Sequence, residues 1–235
     1  MKLIAIDSSG LTASVAVLED EVLRASYTVD FKMTHSQTLL PMLDEITEMI
    51  GLDRSGVDAI AVAAGPGSFT GLRIGAATAK GLGLALGKPI VEVPTLAGLA
   101  FNLFDAKGMI CPIMDARRNQ VYNGLYRYEN HRLETVADQR ALGVDELAGE
   151  LNDRNPEDGV IFLGDGVQVY REQLEALVRV PHTYAPAHLA RQRAASVGAL
   201  GMIFYKEGKF IPAEDHVPVY LRKSQAERER EERGL

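Results

Sequence analysis

The chain has 235 residues, of which 46% are apolar and 24% are charged, the balance of a folded globular protein rather than a disordered or fibrous one. Its 32 acidic and 25 basic side chains give a formal charge of −7, the wrong sign for a protein that holds a nucleic acid through its own phosphate contacts. The one cysteine, Cys111, excludes an intramolecular disulfide, and the charge of Asp7 interrupts any early signal-peptide core. We therefore expect a cytoplasmic protein that does not enter a membrane.

The first half of the chain predicts a meander of three strands, followed by helices that alternate with single strands. Apolar or β-prone runs place strands at 3–6, 13–18, 22–29, 57–64 and 90–93. A capping-box pattern at Thr34 starts a helix to about Ile50, and Gly87 ends a second helix that follows a glycine-rich turn. Thr95 is expected to cap a third helix, which ends near Phe104.

The second half repeats this order. Strands are expected at 109–114, 120–128, 133–140 and 160–163, and helices at 144–152, 169–178 and 188–205. A segment of alternating charge at 224–233 predicts a further helix, either solvated or used as a docking arm. The repetition predicts an α/β protein of two related lobes, residues 1–105 and 106–235, each a mixed sheet flanked by helices. Periodicity alone does not give the strand order.

Small residues form a ridge along the second helix. Gly71, Gly75, Ala79, Gly83 and Gly87 recur every four residues, although each interior glycine costs a helix about 1 kcal/mol relative to alanine. Another element must therefore approach this ridge closely. Two interpretations stay open: the ridge packs within its own lobe, or it packs against the matching helix of another chain.

The first helix carries more apolar surface than one core contact requires. Its apolar stripe consists of Leu39, Leu43, Ile46 and Ile50. Leu40, Met42 and Met49 add apolar surface beside this stripe. The extra surface belongs either to a wide core contact or to an interface with a partner, for which the adaptable methionine side chain is well suited.

The turn from Gly65 to Gly71 is a candidate phosphate loop, because glycines let backbone amides reach an anion at a helix N-terminus. It lacks the lysine of a Walker A loop, since Leu72 follows Gly71, and Thr70 stands where the dinucleotide pattern needs a third glycine. The alternative is a tight turn that leads into a closely packed helix.

Two carboxylates are the candidate catalytic groups. Asp7 and Asp115 each end the first strand of their lobe, so facing lobes would bring both to one cleft, where they could hold a magnesium nucleotide. The alternative is that each aspartate caps a turn. No two of the five histidines have the spacing of metal ligands on one helix face, no nucleophile elbow occurs, and Cys111 is expected in the core. The sequence therefore predicts neither a metal site nor a catalytic nucleophile.

Five segments of the chain resemble one known family, the TsaB (YeaZ) proteins of bacterial tRNA threonylcarbamoyladenosine biosynthesis. The matching runs are LIAIDSS at 3–9, HSQTLLP at 35–41, AGPGSFTGLRIG at 64–75, VPTLAG at 93–98 and PIMDARR at 112–118. The resemblance is strong in the first half of the chain and rests on layout in the second half. It implies two ribonuclease-H-like lobes of the actin-like, Hsp70-like and sugar-kinase (ASKHA) fold.

The same resemblance implies a noncatalytic relative of TsaD, the transferase that moves a threonylcarbamoyl group from an adenylate to the adenosine beside a tRNA anticodon. TsaD proteins carry a His-x-x-x-His metal pair after the glycine turn. Alignment on Gly98 puts Thr95 and Leu99 at those two positions here. Neither side chain replaces imidazole as a ligand of a divalent metal.

The role implied is that of a subunit that binds and activates a TsaD-like transferase, with a TsaE-like ATPase as a further partner. Such a subunit would meet tRNA only through the complex. ATP and a divalent metal are expected in the partner proteins, and this chain is expected to need no cofactor. Whether the free chain forms a homodimer stays open. The alternative function is a stand-alone ATP-dependent kinase or hydrolase that uses Asp7 and Asp115.

These expectations define two sets of candidate residues and no catalytic set. The predicted partner interface comprises Leu39, Leu40, Met42, Leu43, Ile46, Met49, Gly71, Arg73, Gly75, Ala79, Leu82 and Gly83. The candidate nucleotide contacts are Asp7, Ser8, Ser9, Gly65, Gly67 and Asp115.

Overall fold

The computed structural model describes residues 1–31 and 35–222. The predicted cap at Thr34 and the charged segment at 224–233 lie outside the described residues. The first sheet and the helices that follow its strands are β1 Lys2–Asp7, β2 Ala13–Glu19, β3 Val22–Val29, α1 His35–Met49, β4 Ala59–Gly65, α2 Phe69–Leu86, β5 Ile90–Pro94 and α3 Thr95–Ala100. The second half contains β6 Met109–Asp115, β7 Gln120–Glu129, β8 Arg132–Gly143, α4 Val144–Arg154, β9 Val160–Leu163, α5 Gly166–Leu177, β10 His182–Tyr184 and α6 Ala194–Lys206.

The two sheets have the same topology. The first has the order β3-β2-β1-β4-β5, and the second has the corresponding order β8-β7-β6-β9-β10. In each sheet the middle strand of the meander is antiparallel to its neighbours, and the last two strands are parallel to the first. The predicted repeat is therefore confirmed, and the short strand β10, which was not predicted from the sequence, completes it.

Each sheet is covered on both faces, so the molecule has five layers. On β1, Ile4 and Ile6 pack with the core beneath α1 and α2, while Leu3 and Ala5 pack with the core formed by α3, α6 and the second sheet. The other face of the second sheet packs on α4 and α5. Burial of both faces explains why these strands are continuously apolar rather than alternating.

The chain returns to the first sheet after it has built the second. Helix α6 lies on the first sheet, where a Cβ added to Gly201 would come within 2.9 Å of the Ala61 Cβ, and one added to Gly198 would overlap Leu18. A single boundary at residue 105 therefore does not separate the two packing units, because α6, which lies in the predicted second lobe, packs on the first sheet and joins the core between the sheets.

Helix α2 ends where the sequence predicts, at Gly87, which adopts the left-handed conformation with φ 64°. At the start of the helix, the Ser68 side chain accepts a hydrogen bond from the Gly71 amide at 3.2 Å. The expected cap at Thr95 is wrong, because Pro94 occupies the cap position of α3 and the Thr95 hydroxyl accepts a hydrogen bond from the Gly65 amide at 3.0 Å. Helix α3 also stops at Ala100 rather than near Phe104, and a short 3₁₀ turn follows it.

Within the described ranges, the helices are too short or too polar to cross a bilayer.

Candidate functional site: an apolar groove and an interlobe cleft

The small-residue ridge of α2 packs within its own lobe. A Cβ added to Gly71 would overlap the backbone oxygen of Ser8, and one added to Gly75 would come within 2.5 Å of the Ser8 hydroxyl. A Cβ added to Gly83 would come within 2.7 Å of the Ala213 methyl group, and Ala79 is fully buried. The prediction that this ridge faces a partner is therefore wrong, and its small residues serve the close approach of the chain to itself.

Most of the apolar residues of α1 are also core residues. The predicted interface residues that are buried on this helix are Leu39, Met42, Leu43 and Ile46. Met42 is only 5% exposed, so its assignment to a partner surface is wrong. Leu40 and Met49 behave differently, since they are 54% and 75% exposed.

The free surface of α2 lies on the side opposite the ridge. Ala77, Gly81, Leu84 and Ala85 are exposed there, and an added Cβ at Gly81 would meet nothing within 4 Å. None of these four residues belongs to the interface predicted from the sequence. Their spacing at 77, 81, 84 and 85 is helical, so the signal was present, but the glycine ridge on the other side of the helix obscured it.

An apolar groove runs between α1 and α2. It has a volume of about 550 Å³ and is lined by Ile4, Leu40, Pro41, Leu43, Asp44, Thr47, Arg54, Leu82, Ala85 and Leu86. Its charged rim is an exposed ion pair between Asp44 and Arg54, whose atoms lie 3.2 Å apart. Of the predicted interface residues, Leu40, the buried Leu43 and the half-buried Leu82 line this groove, whereas Met49 and Arg73 do not.

The second candidate site is a cleft of about 450 Å³ between the lobes. Ser9 and Gly67 of the first lobe and Asp115 of the second line it, so three of the predicted nucleotide contacts meet there. Asp165, Arg117, Arg191 and Arg222 also line the cleft, which gives it both signs of charge.

Asp7 lies beneath the cleft rather than in it. Its carboxylate accepts hydrogen bonds from the Ser9 amide at 2.9 Å and from the Ser9 hydroxyl at 2.7 Å. Complete burial raises the pKa of Asp7 to about 6, and the hydrogen bonds from Ser9 oppose this shift. The geometry is that of a turn cap, which was the alternative interpretation of this residue.

The other predicted nucleotide contacts are occupied by the chain itself. The Ser8 hydroxyl donates to the Gly71 carbonyl oxygen at 2.9 Å, and an added Cβ at Gly65 would overlap the backbone oxygen of Val219. Ser68 uses its amide to reach the Ser9 carbonyl at 2.7 Å. The glycine-rich segment is therefore a tight turn that leads into a closely packed helix.

Asp115 is held by its own lobe. Its carboxylate accepts hydrogen bonds from the Arg117 amide at 2.8 Å and the Tyr170 hydroxyl at 2.9 Å, and it pairs with the Arg117 guanidinium at 3.3 Å. Burial raises the pKa of the neighbouring Asp165, while the charge of Arg191 opposes this shift. These contacts fix both carboxylates at one wall of the cleft.

The two positions that align with the metal pair of TsaD proteins lie in the interior. Thr95 is fully buried and bonded to the Gly65 amide, and Leu99 packs in the central core. Among residues 1–31 and 35–222, no three histidine, cysteine or acidic side chains cluster as metal ligands. Cys111 is a core residue, as predicted, and burial raises the pKa of its thiol above the usual range.

Comparison with known proteins gives a consistent result. Residues 30–230 match a family model described as TsaD, tRNA N6-adenosine threonylcarbamoyltransferase. The chain is 35% identical to a Bacillus subtilis protein named tRNA threonylcarbamoyladenosine biosynthesis protein TsaB, over 97% of this chain and 96% of that protein. A protein of the same name from Escherichia coli is 30% identical over 96% of both chains. The solved structure of YeaZ from Pseudomonas aeruginosa superposes with a TM-score of 0.78 and 29% identity, covering 94% of this chain and 99% of that one.

Two lobes with one strand order around a shared cleft define the ASKHA fold, the class that includes actin-like proteins and sugar kinases. Within that class, the chain belongs to the TsaB (YeaZ) family, which falls within the broader sequence family described as TsaD. These two curated relatives, which match over nearly the full length of the chain, are both named as tRNA threonylcarbamoyladenosine biosynthesis proteins.

Proposed function

We propose that this chain is a noncatalytic subunit of a complex that makes N6-threonylcarbamoyladenosine in tRNA. It binds and activates a TsaD-like transferase, with a TsaE-like ATPase as a further partner, and it acts in the cytoplasm. ATP and a divalent metal belong to the partner proteins, and tRNA is met only through the complex. The names of the relatives support the pathway, and the apolar groove between α1 and α2 carries the proposal of a binding role.

The groove has the properties of a helix-docking surface. Leu40 and Leu82 supply apolar side chains, and Ala85 lines the groove with them. Ala77 and Gly81 continue the exposed face of α2 at four-residue spacing from Ala85, so this face is small enough for another backbone to approach closely. Gly81 costs the isolated helix about 1 kcal/mol relative to alanine, and no contact within the described chain requires it. A partner helix that packs closely against this face gives a reason for a glycine at this position.

The arrangement at the cleft supports a noncatalytic role. Asp7 is buried beneath Ser9, and Asp115 is occupied by Arg117 and Tyr170. A kinase or hydrolase needs a carboxylate that reaches its metal or its substrate. The stand-alone enzyme is therefore the less favoured function, and titration of the chain with Mg-ATP tests it, since a kinase should bind at micromolar to millimolar affinity.

A matched pair of variants tests the groove. Leu40→Glu places a charge in it, whereas Ile203→Glu places the same charge on an apolar residue of α6 that is 42% exposed on the other side of the sheet. We expect Leu40→Glu to weaken binding to a TsaD-like transferase at least tenfold in calorimetric titration, because one buried leucine contributes about 1.5–3 kcal/mol. Ile203→Glu should bind as the wild type does. Equal affinity of both variants would place the interface elsewhere.

The same variants address self-association of the free chain. If two copies pair through the groove when the transferase is absent, Leu40→Glu should sediment as a monomer and Ile203→Glu should sediment as the wild type does.

Activity gives a separate test of the noncatalytic role. The chain supplied with the adenylate alone should modify no tRNA, and turnover should require the transferase, the ATPase and the adenylate-forming enzyme. Robust modification by the purified chain would contradict the proposal.

A further inference from the structure

A segment near the end of the described chain follows α2 along its length. This segment, residues 213–222, is called the strap. Ala213 lies against Gly83 near the C-terminal end of the helix. One turn earlier, the Lys80 ammonium group donates hydrogen bonds to the carbonyl oxygens of Glu214 at 2.8 Å and His216 at 3.1 Å. The strap therefore runs antiparallel to α2, toward the glycine-rich turn at the start of the helix.

The strap then closes over that turn. The Val219 amide donates to the Ala64 carbonyl oxygen at 2.7 Å, and the Val219 oxygen takes the space that a side chain at Gly65 would need. The ring of Tyr220 packs on Phe69 with 4.9 Å between centroids. The Arg73 guanidinium lies over the Phe69 ring, 4.1 Å from its centroid, and the Arg73 Nε donates to the Tyr220 hydroxyl at 3.4 Å.

The end of the strap reaches the other lobe. Arg222 donates a hydrogen bond to the carbonyl oxygen of Ala116, in the turn that follows β6. Tyr220, Leu221 and Arg222 thus line the interlobe cleft together with Asp115 and Arg117. The lobes share the apolar core formed by α3, α6 and the second sheet, so the cleft can widen only by a hinge movement about that core. The strap supplies such a contact across the mouth of the cleft.

The two parts of the strap are held differently. Ala213 is buried in the core beneath α2, and the buried His216 pairs with the Glu92 carboxylate at 2.6 Å. Val217, Val219 and Tyr220 are exposed, and residues 217–222 are held mainly by single hydrogen bonds and a ring contact. Segments with few buried apolar contacts open at a low free-energy cost compared with the core. Residues 217–222 can therefore detach while the first part of the strap and both sheets stay folded.

We propose that the strap is a latch that couples α2 to the second lobe, so that its attachment holds the cleft at a fixed opening and its release lets the cleft widen. The attached latch also covers the glycine-rich turn. The proposal is independent of the identity of the partner that binds the groove.

Hydrogen exchange of the full chain, followed by mass spectrometry, tests the latch. Tyr220→Ala removes the ring contact, and Arg222→Ala removes the contact with the second lobe. The matched control is Phe210→Ala, which deletes a comparably exposed aromatic ring that stacks on Tyr205 at 5.0 Å outside the strap. We expect amides at 64–71 and at 115–118 to exchange at least tenfold faster in both latch variants, with α4 and α5 unchanged, and the radius of gyration in solution scattering to rise.

Phe210→Ala should leave both segments at the wild-type rate. Faster exchange confined to the strap, with 115–118 unchanged, would overturn the proposal, because the strap would then be a cover on one lobe. Unchanged exchange in both segments would overturn it as well. If Tyr220→Ala does not fold, Arg222→Ala decides the question, because it removes a hydrogen bond between the strap and the second lobe.

Discussion

Alanine placed at different glycines of α2 should have opposite effects on stability. At Gly71 a methyl group would overlap the backbone oxygen of Ser8, which β1 and the Ser8 hydroxyl bond to Gly71 hold in place. At Gly81 the same methyl group would meet no atom within 4 Å. The two substitutions add the same group to one helix, so their difference isolates the close contact with the chain itself.

The magnitudes follow from packing and helix propensity. Overpacking at Gly71 should cost about 1–3 kcal/mol, whereas Gly81→Ala should gain about 0.5–1 kcal/mol from the reduced freedom of the unfolded chain. Gly75→Ala should lie between them, because the Ser8 hydroxyl at 2.5 Å can rotate away at the loss of one hydrogen bond, worth about 1 kcal/mol. For a chain of this size, 1 kcal/mol shifts the melting temperature by about 2–4 °C.

The assay is thermal unfolding of the three variants and the wild type, monitored by circular dichroism at several protein concentrations. Several concentrations are needed because self-association stabilises the folded state by mass action. We expect the order Gly81→Ala, wild type, Gly75→Ala, Gly71→Ala from highest to lowest melting temperature. Gly71→Ala and Gly81→Ala should differ by roughly 3–16 °C.

One result would refute this reasoning. If Gly71→Ala melts at or above the wild-type temperature, the ridge does not lie against β1 in solution. The interpretation in which these glycines face another chain would then return. A lower melting temperature for Gly81→Ala would instead show that its exposed position is occupied by an element of the chain itself.

Three further predictions concern buried groups and charge. Met42→Glu should lower the free energy of unfolding in urea by more than about 3 kcal/mol, because it buries a carboxylate in the core. Met49→Glu, on the exposed side of the same helix, should stay within about 0.5 kcal/mol of the wild type. Equal effects of the two substitutions would contradict the burial of Met42. The pKa of Asp7 is raised from 3.8 to about 6 by folding, so its contribution to stability falls as the pH rises from 4 to 7, by about 3 kcal/mol. Asp7→Asn should therefore gain stability relative to the wild type as the pH rises from 4 to 7.5 in denaturant titrations. If the difference in unfolding free energy between variant and wild type does not change with pH, the Asp7 carboxylate is exposed to water rather than buried. The isolated chain, with a charge of −7, should show no submicromolar tRNA binding in a gel shift at physiological salt.

Local patterns in the sequence determined the elements and their repetition. Both meanders, the capped helix that follows the glycine-rich turn, and the two-lobed α/β architecture depend on short-range periodicity and turn residues, which act over a few neighbouring positions. The need for a close approach to the ridge of α2 was also visible, because repeated glycine in a helix is costly unless another element requires it. The strand order and the match between the sheets required the three-dimensional structure.

Tertiary structure decided what each face contacts. Met42 and Leu40 are both apolar residues two positions apart on α1, yet one is buried and the other is exposed, because the helix packs on a sheet and beside α2 at the same time. The contact between Arg73 and Tyr220 joins residues 147 positions apart. Contacts of that range leave no periodic signature in the sequence, since they depend on where the whole fold brings two surfaces together. The fold therefore determined the chemistry of the cleft and the path of the strap. The residues that build most of the helices and strands could be predicted from the sequence alone.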